Sequence, residues 1–191
     1  MRRWALLLLF SIVPGGASAT TVVALPEAQL VRHSDMIVLG TVIQVHTVVH
    51  AGGQVGTQAH VQVHRALRGA SPNQVIILEV PGGKLKNGLV AHTPGSPALK
   101  GGDMVFGFLE QSGEVLRPLA LSYGLLRVRT DARGNYRVFR ETDGLMMLNP
   151  SGGTVDPSTV SIRDQPLDEL IARISRTLKE VDLPPPGMVK P

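Results

Sequence analysis

Between Met36 and Arg140 the apolar residues alternate with polar ones in short runs, and each run is closed by glycine or proline. Successive side chains of a strand point to opposite faces, so this pattern builds sheets and not helices. Met36-Ile-Val-Leu-Gly-Thr-Val-Ile-Gln-Val45 is apolar on both faces at first and alternates later. It predicts a long strand buried on both sides that emerges into solvent, with Gly40 marking a bulge or bend. The turn Ala51–Gly56 leads to Ala59-His-Val-Gln-Val-His64, which completes a hairpin. Gln74–Val80, Met104–Leu109 and Val115–Leu121 predict further strands, and Leu125–Arg129 with Tyr136–Arg140 a last hairpin, giving six or seven strands in all. The loop of roughly eighteen residues after Pro81 is longer than compact domains carry without a purpose.

Two helices frame these strands. Pro26-Glu-Ala-Gln-Leu-Val-Arg-His-Ser34 opens with proline and an early glutamate, as a short helix does. Behind Pro166, the residues Leu167, Leu170, Ile171, Ile174, Leu178 and Val181 recur at helical spacing, with Asp168 and Glu169 in the first turn. The organisation read from these signals is a mainly β domain over 20–148, a linker over 149–165, a packed amphipathic helix over 166–182 and a tail over 183–191 that is too poor in apolar residues to fold.

The first nineteen residues read as an export signal. Arg2 and Arg3 form a basic head, Trp4–Val13 an apolar run and Ala17-Ser18-Ala19 a small-x-small cleavage site, so the expected product starts at Thr20 and is secreted or periplasmic. Ten apolar residues are about half of a membrane-spanning helix, and no later stretch is long and unbroken enough to be one. Taking Arg2 and Arg3 from the 19 basic residues leaves 17 against 15 acidic, a net charge of +2. That weak field, with few aromatic residues to stack on bases, argues against nucleic acid as a partner. There is no cysteine, so the core must hold without disulfides and thiolate chemistry is excluded.

Short strands with one early helix, one late helix and a long central loop suggest a small Greek-key barrel of the oligonucleotide/oligosaccharide-binding (OB) type. Leu30-Val-Arg-His-Ser34-Asp35-Met-Ile-Val-Leu-Gly40-Thr-Val42 resembles the short helix and first strand of the netrin-like module of tissue inhibitors of metalloproteinases. Val61 through Arg68-Gly69 to Leu78 is similar to that family's strand, turn and next strand; Lys100-Gly-Gly-Asp103 through Leu109 resembles its glycine-led strand, and Pro166–Leu170 its late helix. The same pattern looks like small exported bacterial domains sometimes fused to metalloproteases. The resemblance implies an OB-like barrel and an exported protein as partner, with a metalloprotease among the candidates. It also implies that Thr20 and Thr21 stand where the inhibitors carry a zinc-chelating N-terminal cysteine, although no disulfide clamps the terminus here. Lys84 and Lys86, the nearest approach to a basic cluster, lie in the long loop expected beside that terminus and join Thr20 and Thr21 as candidate partner-binding residues.

Catalytic patterns are missing. His33, Ser34 and Asp35 are adjacent and therefore point in different directions, which is wrong for a triad. Glu79, Asp103, Glu110, Glu114 and Glu141 are scattered over strand ends, with no reason in the sequence for two to converge. The expectation is a non-catalytic module without a cofactor. The second reading is a metal-binding protein that uses His46, His50, His60 and His64, which share strand faces two by two. Pairing 50 with 60 and 46 with 64 would bring two imidazole pairs together, and a register shifted by four residues would pair 46 with 60. An uncharacterised hydrolase is the third reading.

Overall fold

The computed structural model of the chain describes residues 19–156, 162 and 164–182. The expected signal up to residue 18, part of the expected linker and the tail 183–191 lie outside the described residues. The chain opens with β1 (Thr20–Val23) and α1 (Glu27–His33), followed by two fourteen-residue strands, β2 (Met36–Val49) and β3 (Val55–Arg68). Next come β4 (Val75–Pro81), the two-residue strands β5 (Gly83–Lys84) and β6 (Val90–Ala91), β7 (Met104–Ser112), β8 (Val115–Pro118) and a 3-10 turn (Leu121–Gly124). The hairpin β9 (Leu125–Thr130) and β10 (Tyr136–Arg140), then β11 (Leu145–Leu148), β12 (Thr154–Val155), β13 (Gln165–Pro166) and α2 (Leu167–Asp182) complete the order.

The fold is mainly β, and its central sheet closes on itself. The hydrogen-bonded order is β13-β10-β9-β7-β2-β3-β4-β8, and β8 also pairs with β7, so that β7, β2, β3, β4 and β8 form a ring. The β4–β8 contact is parallel and every other pairing in this sheet is antiparallel. Gly69 carries the tight turn after β3. Its φ is +76°, and a Cβ there would lie 2.3 Å from the carbonyl oxygen of Asp35.

Two apolar cores explain the continuous hydrophobic start of β2. Val38, Val42, Ala59, Val61, Leu78 and Val105 belong to one, formed by the strands of the ring. Ile37, Phe106, Phe108, Leu30, Leu170 and Ile174 belong to the other, beneath the helices. Neighbours such as Ile37 and Val38, or Val105 and Phe106, thus enter different cores, and both faces are buried over residues 36–38 of β2 and 105–109 of β7. The helix α2 docks through Leu167, Leu170, Ile171, Ile174 and Leu178, and Arg173 adds two 2.9 Å bonds to the carboxylate of Glu27 on α1. Arg68 donates to the carbonyls of Val31 at 2.6 Å and Ser34 at 3.3 Å, joining β3 to the end of α1.

Several segments differ from expectation. The residues ahead of α1 form a strand that was not expected, because β1 pairs in parallel with β11, a strand the alternation did not reveal. The stretch expected as a linker supplies β12 to β11 and β13 to β10. The strand expected to reach Leu121 stops at Pro118, since Ala120 and Leu121 take left-handed φ values of 52° and 59° that no strand accommodates.

Candidate functional site

Neither histidine register considered above occurs. His46 stands opposite Gln58, His60 opposite Gln44, and Val45 and Thr47 face Ala59 and Thr57. From Val49 opposite Val55 to Gln44 opposite His60 the two strands pair without interruption, so the turn between them fixes this register; the shifts between Val42 and Gln44, Leu39 and Gly40, and Ile37 and Val38 lie beyond it, and the one at Leu39 and Gly40 leaves His64 unpaired in the ladder. The four histidines therefore separate. His46 and His60 are diagonal neighbours with ring centroids 5.4 Å apart and planes inclined by 68°. His64 hydrogen-bonds the hydroxyl of Thr41 at 2.7 Å, and His50 turns to Glu79. Among the described residues no three His, Cys, Asp or Glu side chains are grouped as a metal site.

Glu79 organises the outer face of the ring. It is 4% exposed although it alternates with Leu78 and Val80, which are themselves buried. Gln58 donates to its Oε2 at 2.8 Å, Arg117 to its Oε1 at 3.0 Å, and His50 Nε2 lies 3.2 Å from the same Oε1. Gly56 leaves room for that approach, since a Cβ there would lie 3.3 Å from His50 Nε2 and 3.4 Å from Glu79 Cδ. Burial alone would raise the Glu79 pKa, but the hydrogen bonds from Gln58 and Arg117 and the charges of His50 and Arg117 outweigh it and hold the carboxyl below its ordinary 4.5. With its amide nitrogen committed to Glu79, Gln58 turns its oxygen to His46 Nε2 at 3.1 Å, so that nitrogen must carry the proton. A chain of polar contacts thus runs His46–Gln58–Glu79–Arg117 across β2, β3, β4 and β8.

A cleft of about 630 Å³ opens beside this network, lined by His50, Glu79, Glu110, Arg117, Pro118 and Leu121 among others. Its rim includes the left-handed Ala120 and Leu121, a conformation that costs non-glycine residues about 1–2 kcal/mol each. Glu79 was visible in the sequence only as one of several scattered carboxylates. A second convergence was also missed: Asp103 and Glu141 meet on Arg127, which bonds them at 2.5 Å and 3.3 Å and donates to the carbonyl of Ala98.

The long loop is fastened at its base and free at its tip. Thr57 donates to the carbonyl of Gly82, Thr47 to that of Lys84 and Ser96 to that of Pro81. Inside the loop β5 and β6 form a small hairpin whose tip exposes Leu89 and Val90 at 65% and 67%. Lys84 and Lys86 are exposed on the same hairpin, and no carboxylate occurs between Glu79 and Asp103. Thr20 lies beside this loop, donating its hydroxyl to the carbonyl of Pro94 at 2.7 Å and its backbone N–H to Gly144 at 3.0 Å. Thr21 is exposed, opposite Met146. The structure therefore places Thr20 and Thr21 within a paired strand and the two lysines on a projecting hairpin.

No protein-family model matches the chain, and no curated protein matches it.

Proposed function

We propose that this chain is an exported, non-catalytic binding module built on an OB-like Greek-key barrel, and that it engages another exported protein through the β5–β6 hairpin. The ring order supports the fold reading. β2, β3 and β4 follow one another as neighbours and β7 returns beside β2, the 4-1-2-3 arrangement of a Greek key, after which β8 closes the ring between β7 and β4. Export is supported by the basic head, the apolar run and the Ala17-Ser18-Ala19 site, and by β1 starting at Thr20.

The observation that carries the binding reading is the hairpin itself. Leu89 and Val90 project beside Lys84 and Lys86 in a stretch without carboxylates, and its base is held by the hydroxyls of Thr47, Thr57 and Ser96. A rigid base limits the ordering cost on binding, and exposed apolar side chains among cations suit an acidic, partly apolar protein segment. A metalloprotease remains a partner of this kind by resemblance. The wedge mode of the inhibitors fits less well, because the Thr20 backbone nitrogen and hydroxyl are engaged by Gly144 and Pro94.

The test uses residues 20–191 as bait against the exported proteins of the source cell. A partner retained by the native chain and lost by Leu89→Asp/Val90→Asp, with unchanged thermal stability, supports the reading. Equal retention by both places binding elsewhere.

A further inference from the structure

We propose that His46 and His60 form a two-histidine zinc site on the outer face of the β2–β3 hairpin, oriented by Gln58 and Glu79. Both side chains are accessible, His46 exposed and His60 partly so. Their ring spacing is the first support. A zinc ion about 2.05 Å from one nitrogen of each imidazole lies about 3.2 Å from each ring centroid, and two such vectors at the tetrahedral angle separate the centroids by about 5.2 Å. The observed separation is 5.4 Å.

The second support is independent of that distance. Histidine ligands of metals donate their other ring N–H to an oxygen that fixes tautomer and orientation. His46 Nε2 makes such a bond, to Gln58 Oε1 at 3.1 Å, and Gln58 cannot reverse its amide without turning its oxygen toward the carboxylate that accepts its NH₂ at 2.8 Å. Glu79 is in turn held by Arg117 and His50. In the neutral ring this leaves Nδ1 of His46 as the ligand atom. Two imidazoles leave two of four positions for water, so the site binds zinc reversibly.

Isothermal titration of residues 20–191 with zinc chloride alone, in a buffer that does not chelate, tests the site. The expected result is one zinc per chain, lost in both His46→Ala and His60→Ala and retained in His64→Ala. Gln58→Met should weaken binding about 10–100-fold, the usual cost of removing a partner that orients a ligand. Thermal melting of each variant without zinc separates loss of the site from loss of the fold. Absence of binding at millimolar zinc, or binding that survives the His46→Ala/His60→Ala double variant, would overturn the proposal.

Discussion

His50 Nε2 lies 3.2 Å from Oε1 of Glu79, a carboxylate that the outer face of a strand would ordinarily leave in water. Gln58 and Arg117 complete its cover, so the charge is buried but fully partnered. Glu79→Ala should cost about 1–3 kcal/mol at pH 7 by leaving these donors without their acceptor. The pH dependence follows from the lowered pKa of the folded state. The contribution of Glu79 is fully present above the ordinary 4.5 and is lost as pH falls from there through the lower folded value. Urea titrations of native and Glu79→Gln chains at a series of pH values should show the native chain losing its advantage below pH 4.5. Parallel curves would mean that Glu79 is not ionised in the fold.

The helix α2 tests the core beneath the sheet. Ile174 is fully buried within the cluster that also holds Phe106, Phe108 and Leu170. Ile174→Ala should lower stability by about 2–5 kcal/mol, as large-to-small changes in cores do. An unchanged denaturation midpoint would show that the helix does not contribute to this core.

Arg127 fastens the end of the long loop to β9. Arg127→Met removes bonds to Asp103, Glu141 and the carbonyl of Ala98 together. The expected cost is about 1–3 kcal/mol, with faster amide hydrogen exchange confined to residues 98–103. Exchange that stays unchanged there would show that the loop is held by its other contacts.

How much of this was legible in the sequence depended on whether local pattern or distant pairing decided it. The strands from Met36 to Arg140 and the helix from Leu167 follow from side-chain periodicity, and Gly40 was readable as an irregularity. The register was not, because it is fixed where the turn starts the pairing, Val49 opposite Val55, and is shifted again by single extra residues in β2 and β3 that the apolar pattern does not announce. The four histidines were visible as candidates, and their separation into a His46–His60 pair, a His50–Glu79 contact and a His64–Thr41 contact was not. β11 escaped because four apolar residues without alternation carry no period, and its partner β1 is more than a hundred residues away. Glu79 escaped because its burial is produced by side chains from β3, β8 and the turn after β2, none of them near it in the chain.

The expected export signal predicts a definite terminus. N-terminal sequencing of the chain recovered from the cell exterior or periplasm should read Thr20-Thr21-Val22. A product starting later would lose the Thr20 bond to Pro94 and shorten β1, and a product retaining Met1 would contradict cleavage.

The most direct measurement of the binding account is the affinity of a captured exported partner for four forms of residues 20–191: native, Val90→Asp, Lys84→Glu/Lys86→Glu and Ile43→Asp. Val90 and Ile43 are both exposed, at 67% and 52%, but only Val90 lies on the β5–β6 hairpin. The account predicts at least a tenfold loss, about 1.4 kcal/mol, for Val90→Asp and for the double lysine variant, with the lysine effect shrinking at high salt. Ile43→Asp should bind as the native chain does. Full affinity in both hairpin variants, or a loss only in Ile43→Asp, would contradict it.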